Sequence, residues 1–175
     1  MTPRNNYLAN IQGILKNTHQ KTKIILLSST SVYSQKPQGK IQILGEDALK
    51  KFHKNHLILR LGGLMGYDRV AGKYTQGKQV ESDAYTNYIH RDDAINIIDS
   101  LVINDIQGET FNLVCPTHTP KKEVYQNNAE LFHFDATKFL STQIIGKKIS
   151  SKKIVELLNY EFIYKSPLEF HTFKV

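Results

Sequence analysis

Four consecutive hydroxyl residues, Ser28, Ser29, Thr30 and Ser31, follow the apolar run Ile24-Ile25-Leu26-Leu27 and precede Val32 and Tyr33. The run has the length of a buried strand. In open α/β sheets ligands gather just outside the carboxyl ends of the strands, where such hydroxyls can meet a reacting oxygen. A Ser/Thr-rich turn that satisfies its own backbone is the alternative, and on these residues alone the two readings weigh equally. A second chemical segment is Asn87-Tyr88-Ile89-His90-Arg91-Asp92-Asp93-Ala94-Ile95. Adjacent carboxylates point in different directions on a helix, so Asp92 and Asp93 read as first-turn charges favoured by the helix dipole rather than as metal ligands. His53 and His56 lack a third ligand, and no metal site is expected. Arg69 is either a diphosphate contact, since guanidinium matches phosphate geometry, or a surface arginine.

Taken in order, Ser-Ser-Thr-Ser-Val-Tyr, then Leu59-Arg60-Leu61-Gly62-Gly63-Leu64-Met65-Gly66, then Tyr88-Ile89-His90-Arg91-Asp92-Asp93-Ala94, then Phe111-Asn112-Leu113-Val114, make up a pattern. The chain resembles the extended, atypical short-chain dehydrogenase/reductase family, that of the NAD-dependent nucleotide-sugar epimerases and dehydratases, from about Tyr7 to about Phe170. The resemblance implies NAD or NADP as cofactor and a nucleotide-sugar or similar small molecule as ligand. It places Ser29 as the hydroxyl that stabilises the substrate oxygen, with Ser28, Thr30, Arg60 and Gly62 on the cofactor side. Ser31, Gly63, Arg69 and His90 fall on the substrate side. For His90 it also offers a structural role, packing a helix against the sheet. Gly63 stands where many members carry an asparagine that touches substrate.

Two departures qualify that picture. No glycine-rich turn opens the chain to let a pyrophosphate approach a helix N-terminus. The first strand–helix units of the family fold, on the order of 60 to 90 residues at roughly 30 per unit, are therefore expected to be missing. The chain then reads as a truncated C-terminal part, able to self-associate or to pair with a separate N-terminal half. The second departure is the Tyr-x-x-x-Lys acid–base pair. Counting back from Glu46, its positions fall on Gln38 and Gln42, and neither amide transfers protons at neutral pH. The resemblance thus leaves enzyme activity open. Impaired or absent catalysis by the chain alone stands beside a pseudoenzyme that binds a nucleotide-sugar or a partner protein.

Composition agrees with a globular α/β domain. The chain has 175 residues, 40% hydrophobic and 22% charged, a single-domain length. One cysteine, Cys115, excludes an internal disulfide framework and points to a reducing, cytoplasmic setting; before Pro116 it reads as a packed thiol. No apolar run approaches the roughly 20 residues that span a bilayer, and residues 1–20 lack a signal-peptide core. The net charge of +7 is dispersed in lysine pairs rather than concentrated with aromatics, which argues against nucleic acid as a partner.

The elements that must position these residues alternate in type. The expected fold is a partial Rossmann-like parallel sheet with helices over residues 1–115, plus a small C-terminal substrate-side region over 116–175, all in one domain. Leu8, Ile11 and Leu15 predict a helix from Tyr7 to about Thr18, and a strand follows from Lys23. A short helix is expected over Gly45 to His53 with Leu49 and Phe52 inward, then a strand over His56 to Leu61. Gly62 to Ala84 reads as a polar loop. Asn87 to Ile89 is a short strand, Asp92 to Ile103 a helix, and Thr110 to Val114 a strand. A helix over Pro120 to Phe132 is expected to be capped by Thr119, with Tyr125, Ala129 and Phe132 on one face. Strands at Lys147 to Ile149 and Glu161 to Tyr164 flank a last helix capped by Ser150 or Ser151.

Overall fold

A computed structural model describes residues 6–34 and 36–172. Helix α1 (Tyr7–Asn17) leads to strand β1 (Ile24–Ser29), a 3-10 turn (Thr30–Tyr33), α2 (Pro37–Phe52) and β2 (His56–Leu61). Then come β3 (Gly63–Met65), β4 (Gln79–Val80), β5 (Asp83–Ala84), β6 (Tyr88–His90), α3 (Arg91–Ile103) and β7 (Glu109–Leu113). Finally α4 (Lys121–Leu131), β8 (Lys138–Phe139), β9 (Ile144–Ile145) and α5 (Lys152–Leu158) complete the order. The fold is mixed α/β with parallel pairing throughout the named strands. The principal sheet has the order β1-β2-β7, and β3-β6, β4-β8 and β5-β9 form three short pairs. No helix among the described residues is long and apolar enough to cross a membrane.

Parallel strands are covered on both faces, so their sequences run continuously apolar, and His-Leu-Ile-Leu in β2 is almost wholly buried. On one face Leu57, Leu59, Phe111 and Leu113 pack with Ile97 and Leu101 of α3 and Ile154 of α5. A smaller cluster of Ala71, Tyr88, Cys115, Val124, Tyr164 and Phe170 joins the glycine-containing loop to α4 and the C-terminal segment. The other face of the sheet receives α2, which α1 packs against.

Several boundaries differ from expectation, each for a local reason. Helix α2 begins eight residues earlier than expected, because Pro37 occupies the first turn, where its missing N–H costs nothing. Phe52 at its end is exposed, while Gln42 and Glu46 turn inward with Leu49. The Gly62–Ala84 segment is no simple polar loop: it contributes β3, β4 and β5 and buries Val70, Ala71 and Asp83. Thr119 does not cap α4. Its carbonyl accepts from both the N–H and the hydroxyl of Thr86, and Asp83 Oδ1 instead accepts from the Lys122 N–H in the first turn. Phe132 is exposed, unlike Ala129. Residues 147–149 and 161–164 are not strands, the second with a bend at Ile163, and side chains rather than a neighbouring strand take up their backbone groups. Asn87 holds the first by accepting from the Ile149 N–H and donating to the Lys147 carbonyl, and Asp93 holds the second. Ser151 stands at the N-terminus of α5, but its hydroxyl bonds both backbone groups of Val114.

Gly39 sets how closely α2 can approach the serine turn. A Cβ there would strike the carbonyl oxygens of Ser31 and Ser34, which are backbone and cannot swing away. Gly39→Ala is therefore expected to cost about 1–3 kcal/mol by overpacking despite alanine's better helix propensity. Urea unfolding of the two proteins measures it, and an unchanged or raised midpoint would contradict this account.

Candidate functional site

Ser28, Arg60 and Asn112 are register neighbours across β1, β2 and β7, a polar row on the face that α2 covers. Glu46 descends from α2 onto that row with its side chain 1% exposed. It accepts from the Ser28 hydroxyl at 2.6 Å and from Arg60 Nε and Nη2 at 3.1 and 2.6 Å. Arg60 Nη1 donates to the Tyr33 hydroxyl at 2.9 Å, and Tyr33 donates to Asn112 Oδ1 at 2.9 Å. The guanidinium carbon also lies 5.2 Å from the Tyr33 ring centroid. Hydrogen bonding to Glu46, above all, holds the Arg60 pKa above its ordinary value. The carboxylate end of the pair is thus desolvated and hydrogen-bonded, while the Arg60 guanidinium stays partly exposed beside Tyr33.

Just beyond the row, the Ser29 hydroxyl accepts from the Ser31 N–H at 3.1 Å and caps the 3-10 turn. The Ser31 hydroxyl donates to Gln42 Oε1. Thr30 is half-buried in the same turn. The turn therefore satisfies its own backbone and also lies past the carboxyl end of a strand, so both sequence readings describe it. Gln42 is buried, whereas Gln38, one helical turn earlier, is exposed. None of Ser29, Ser31 and these two amides takes a proton at neutral pH.

A second group surrounds the glycine cluster. The backbones of Gly62 and Gly63 are closely approached: an added Cβ would strike the Asn87 carbonyl at the first, and lie 2.5 Å from the Tyr88 ring at the second. Gly66 alone of the three has positive φ, at 116°, and it presses against the His90 ring. His90 is 1% exposed and stacks on Tyr164 with centroids 3.7 Å apart, with Tyr67 and Phe170 at 5.5 and 5.4 Å. Its Nδ1 accepts from the Asp92 N–H at 3.2 Å, capping α3. Burial lowers the His90 pKa; Asp92 and Asp93 oppose that effect, and Arg91 adds to it. Arg69 is exposed and exchanges two backbone hydrogen bonds with Gly66. The cavity it lines has about 20 Å³, room for a single water, so a diphosphate would meet Arg69 from outside.

The structure thus gathers Ser28 with Arg60, Ser29 with Ser31 and Thr30, and Arg69 with His90 through Gly66. Sequence reasoning treated Asp93 only as a dipole charge. Here it is fully buried and accepts from Tyr160 Oη and from the N–H groups of Ile163 and Tyr164. Burial lowers the pKa of Lys121 at the start of α4; Asp83 opposes that effect, and Lys36 adds to it. Cys115 is buried, and that burial pushes its thiol up to about 12, an inert packing group. Among the described residues no group of three His, Cys, Asp or Glu side chains is placed to hold a metal.

No family model matches the chain. Protein YeeZ of Escherichia coli strain K12 is 28% identical over 182 residues, covering 93% of this chain and 66% of that protein. This chain thus spans just under two thirds of the length of the curated relative. A solved, functionally unknown conserved protein from Silicibacter pomeroyi DSS superposes with a TM-score of 0.75 at 15% identity, over 95% of this chain and 70% of that one. A mutant UDP-glucuronic acid 4-epimerase from Bacillus cereus, in complex with UDP-4-deoxy-4-fluoro-glucuronic acid and NAD, gives 0.73 at 20% identity, over 93% of this chain and 64% of that one. The chain has the Rossmann-like fold of the NAD-dependent epimerases and dehydratases. MoeE5 in complex with UDP-glucose and NAD also shares it, with a TM-score of 0.68 at 14% identity, over 92% of this chain and 66% of that one.

A nicotinamide dinucleotide requires a cradle for its pyrophosphate. Among the described residues no glycine-rich turn joins a strand to a helix N-terminus, and Ser28 and Arg60 already bind Glu46. Gly62 is closed off by Asn87. These residues do not by themselves fit the dinucleotide, and no hydride step is assigned to them.

Two outcomes follow from this geometry. Glu46→Ala leaves the buried Ser28 hydroxyl and the partly exposed Arg60 charge without their carboxylate, and is expected to cost about 2–3 kcal/mol by denaturant unfolding. Loss of less than about 1 kcal/mol would remove Glu46 from its central place. For His90, a folded-state pKa below the unfolded value means its contribution is complete above roughly pH 6.5 and is lost as pH falls through the folded pKa. The melting temperature should fall between pH 7.5 and pH 5.5 (working values of roughly that size) more steeply in the parent than in His90→Phe. Equal slopes would refute the assignment.

Proposed function

We propose that the chain is a nucleotide-sugar-binding protein of the epimerase/dehydratase type, in which ligand recognition persists and proton transfer has been lost. The observation that carries this reading is the Ser31–Gln42 contact: an amide that cannot act as acid or base occupies the place where the resemblance puts the lysine of the acid–base pair. Ser29 keeps the hydroxyl position at the end of β1, and Ser31, Gly63, Arg69 and His90 form the substrate side. Residues 1–115 serve as the partial Rossmann-like core and 116–175 as the substrate-side region. NAD or NADP binding, which Ser28, Thr30, Arg60 and Gly62 would share, needs further groups from outside the described residues. The chain alone is therefore catalytically impaired or silent. A pseudoenzyme role, holding a nucleotide-sugar or a partner protein in the cytoplasm, follows from the same loss.

Calorimetric titration of UDP-glucuronic acid, and separately of NAD(H) and NADP(H), into the purified chain tests the proposal. The nucleotide-sugar should bind, Arg69→Ala should weaken it several-fold, and no change in nicotinamide absorbance should accompany mixing of all components. Turnover by the chain alone, or absence of any nucleotide-sugar binding by a folded chain, would overturn it.

A further inference from the structure

Residues 83–86 and 118–122 run antiparallel, side by side. Thr86 donates its N–H and its hydroxyl to the Thr119 carbonyl, Tyr85 and Pro120 form an isolated bridge, and Asp83 Oδ1 accepts from the Lys122 N–H at 3.0 Å. The second of these segments follows the exit of the chain from β7. Because β1, β2 and β7 are parallel, it lies past the strand ends that also carry the Ser29 turn and Gly62. Lys121 is close enough to Lys36, which stands at the N-cap of α2 just beyond the serine turn, for the two charges to repel. A ligand lying across the carboxyl ends of the strands therefore meets this pair of segments.

Three side chains here keep unused bonding capacity. His118 Nδ1 lies 2.9 Å from the Thr86 carbonyl oxygen. A carbonyl only accepts, so Nδ1 carries the proton, and Nε2 of the neutral ring is an acceptor. Among the described residues nothing donates to that Nε2. Asp83 is 4% exposed, and its Oδ1 takes the N–H groups of Ala84 and Lys122, while its Oδ2 accepts from none. Lys121 is half-buried and has neither a hydrogen bond nor an ion pair in contact; Asp83 eases its charge only from a longer range.

That combination selects one ligand chemistry. A phosphate or carboxylate would suit Lys121 but would set its anionic oxygens against the Nε2 lone pair and the Asp83 carboxylate. An ammonium group would suit both acceptors but be repelled by Lys121. A hydroxyl donates one hydrogen bond and accepts others, so neighbouring hydroxyls can satisfy all three groups.

We propose that His118, Lys121 and Asp83 form a subsite for the hydroxyls of a sugar ring, His118 Nε2 and Asp83 Oδ2 accepting from them and Lys121 Nζ donating to them. The inference rests on the nucleotide-sugar reading and deepens it, by assigning the sugar, as distinct from the diphosphate at Arg69, to three residues outside the motifs that carry the resemblance.

Calorimetric titration of UDP-glucose, whose sugar carries hydroxyls and no carboxylate, and separately of UDP, into the full chain and its variants tests it. His118→Phe and Lys121→Met should each weaken UDP-glucose by about three- to tenfold, the size expected for one lost hydrogen bond, and leave UDP affinity unchanged. His118→Gln, which keeps an acceptor, should recover part of the loss. Lys121 has no hydrogen bond to lose in the free protein, so its variant should stay folded. An unchanged ratio of UDP-glucose to UDP affinity in both variants would overturn the subsite while leaving the nucleotide-sugar reading in place. Absence of binding of either compound by the folded parent chain would overturn both.

Discussion

The buried carboxylate of Glu46 is the constraint around which the candidate site is arranged. A charge 1% exposed survives only if every lone pair is used, and here Ser28 of β1 and Arg60 of β2 use them. That demand fixes the rotation of α2 over the sheet. With Glu46 held inward, Gln42 lies one turn earlier on the same face and meets Ser31, while Gly39 admits the carbonyls of the serine turn. Arg60 then passes the constraint outward through Tyr33 to Asn112, whose amide donates to the Ser150 carbonyl at the entry to α5. One ion pair thus relates the first strand of the sheet to the C-terminal region.

Asp93 performs the corresponding task on the opposite side. It sits in the first turn of α3, where the helix dipole favours a carboxylate, and its two oxygens take up backbone N–H groups of Ile163 and Tyr164. A segment without strand partners is thereby held in place. Tyr164 is placed against the His90 ring, and His90 in turn caps α3. The hydroxyl of Tyr160, also bound to Asp93, has its pKa raised first by burial and then by that bond. His90 is thus held by Gly66, Tyr67, Tyr164 and Phe170 around its ring and by its cap on α3.

Legibility from sequence followed the range of the forces involved. Helices α1 and α3 and strands β2 and β7 were readable to within a residue or two because local apolar periodicity encodes them. The start of α2 was not, since Gln38, Gln42 and Glu46 interrupt the apolar pattern; Gln38 stays exposed, while Gln42 and Glu46 are buried because Ser31 of the 3-10 turn meets the first and Ser28 and Arg60 of β1 and β2 meet the second. Residues 147–149 and 161–164 have strand-like composition, but a strand needs a neighbour, and Asn87 and Asp93 supply substitutes from about 60 to 70 residues away. Ser29, Arg60 and His90 could be picked out by motif. That Ser28 and Arg60 share a carboxylate depends on strand register, which no local pattern specifies.

The glutamines at 38 and 42 bear on the kind of chemistry the turn can perform more than on its capacity to hold a ligand. An amide both donates and accepts but carries no exchangeable charge near neutrality, so Gln42 can keep Ser31 oriented without supplying or removing a proton. Orientation of this kind costs the fold nothing, because the strand end that carries the turn is held through Ser28 on Glu46, and the turn itself by its close approach to Gly39. The shape of the turn is thus set by the hydrogen bonding around Glu46 and depends on no group that moves protons.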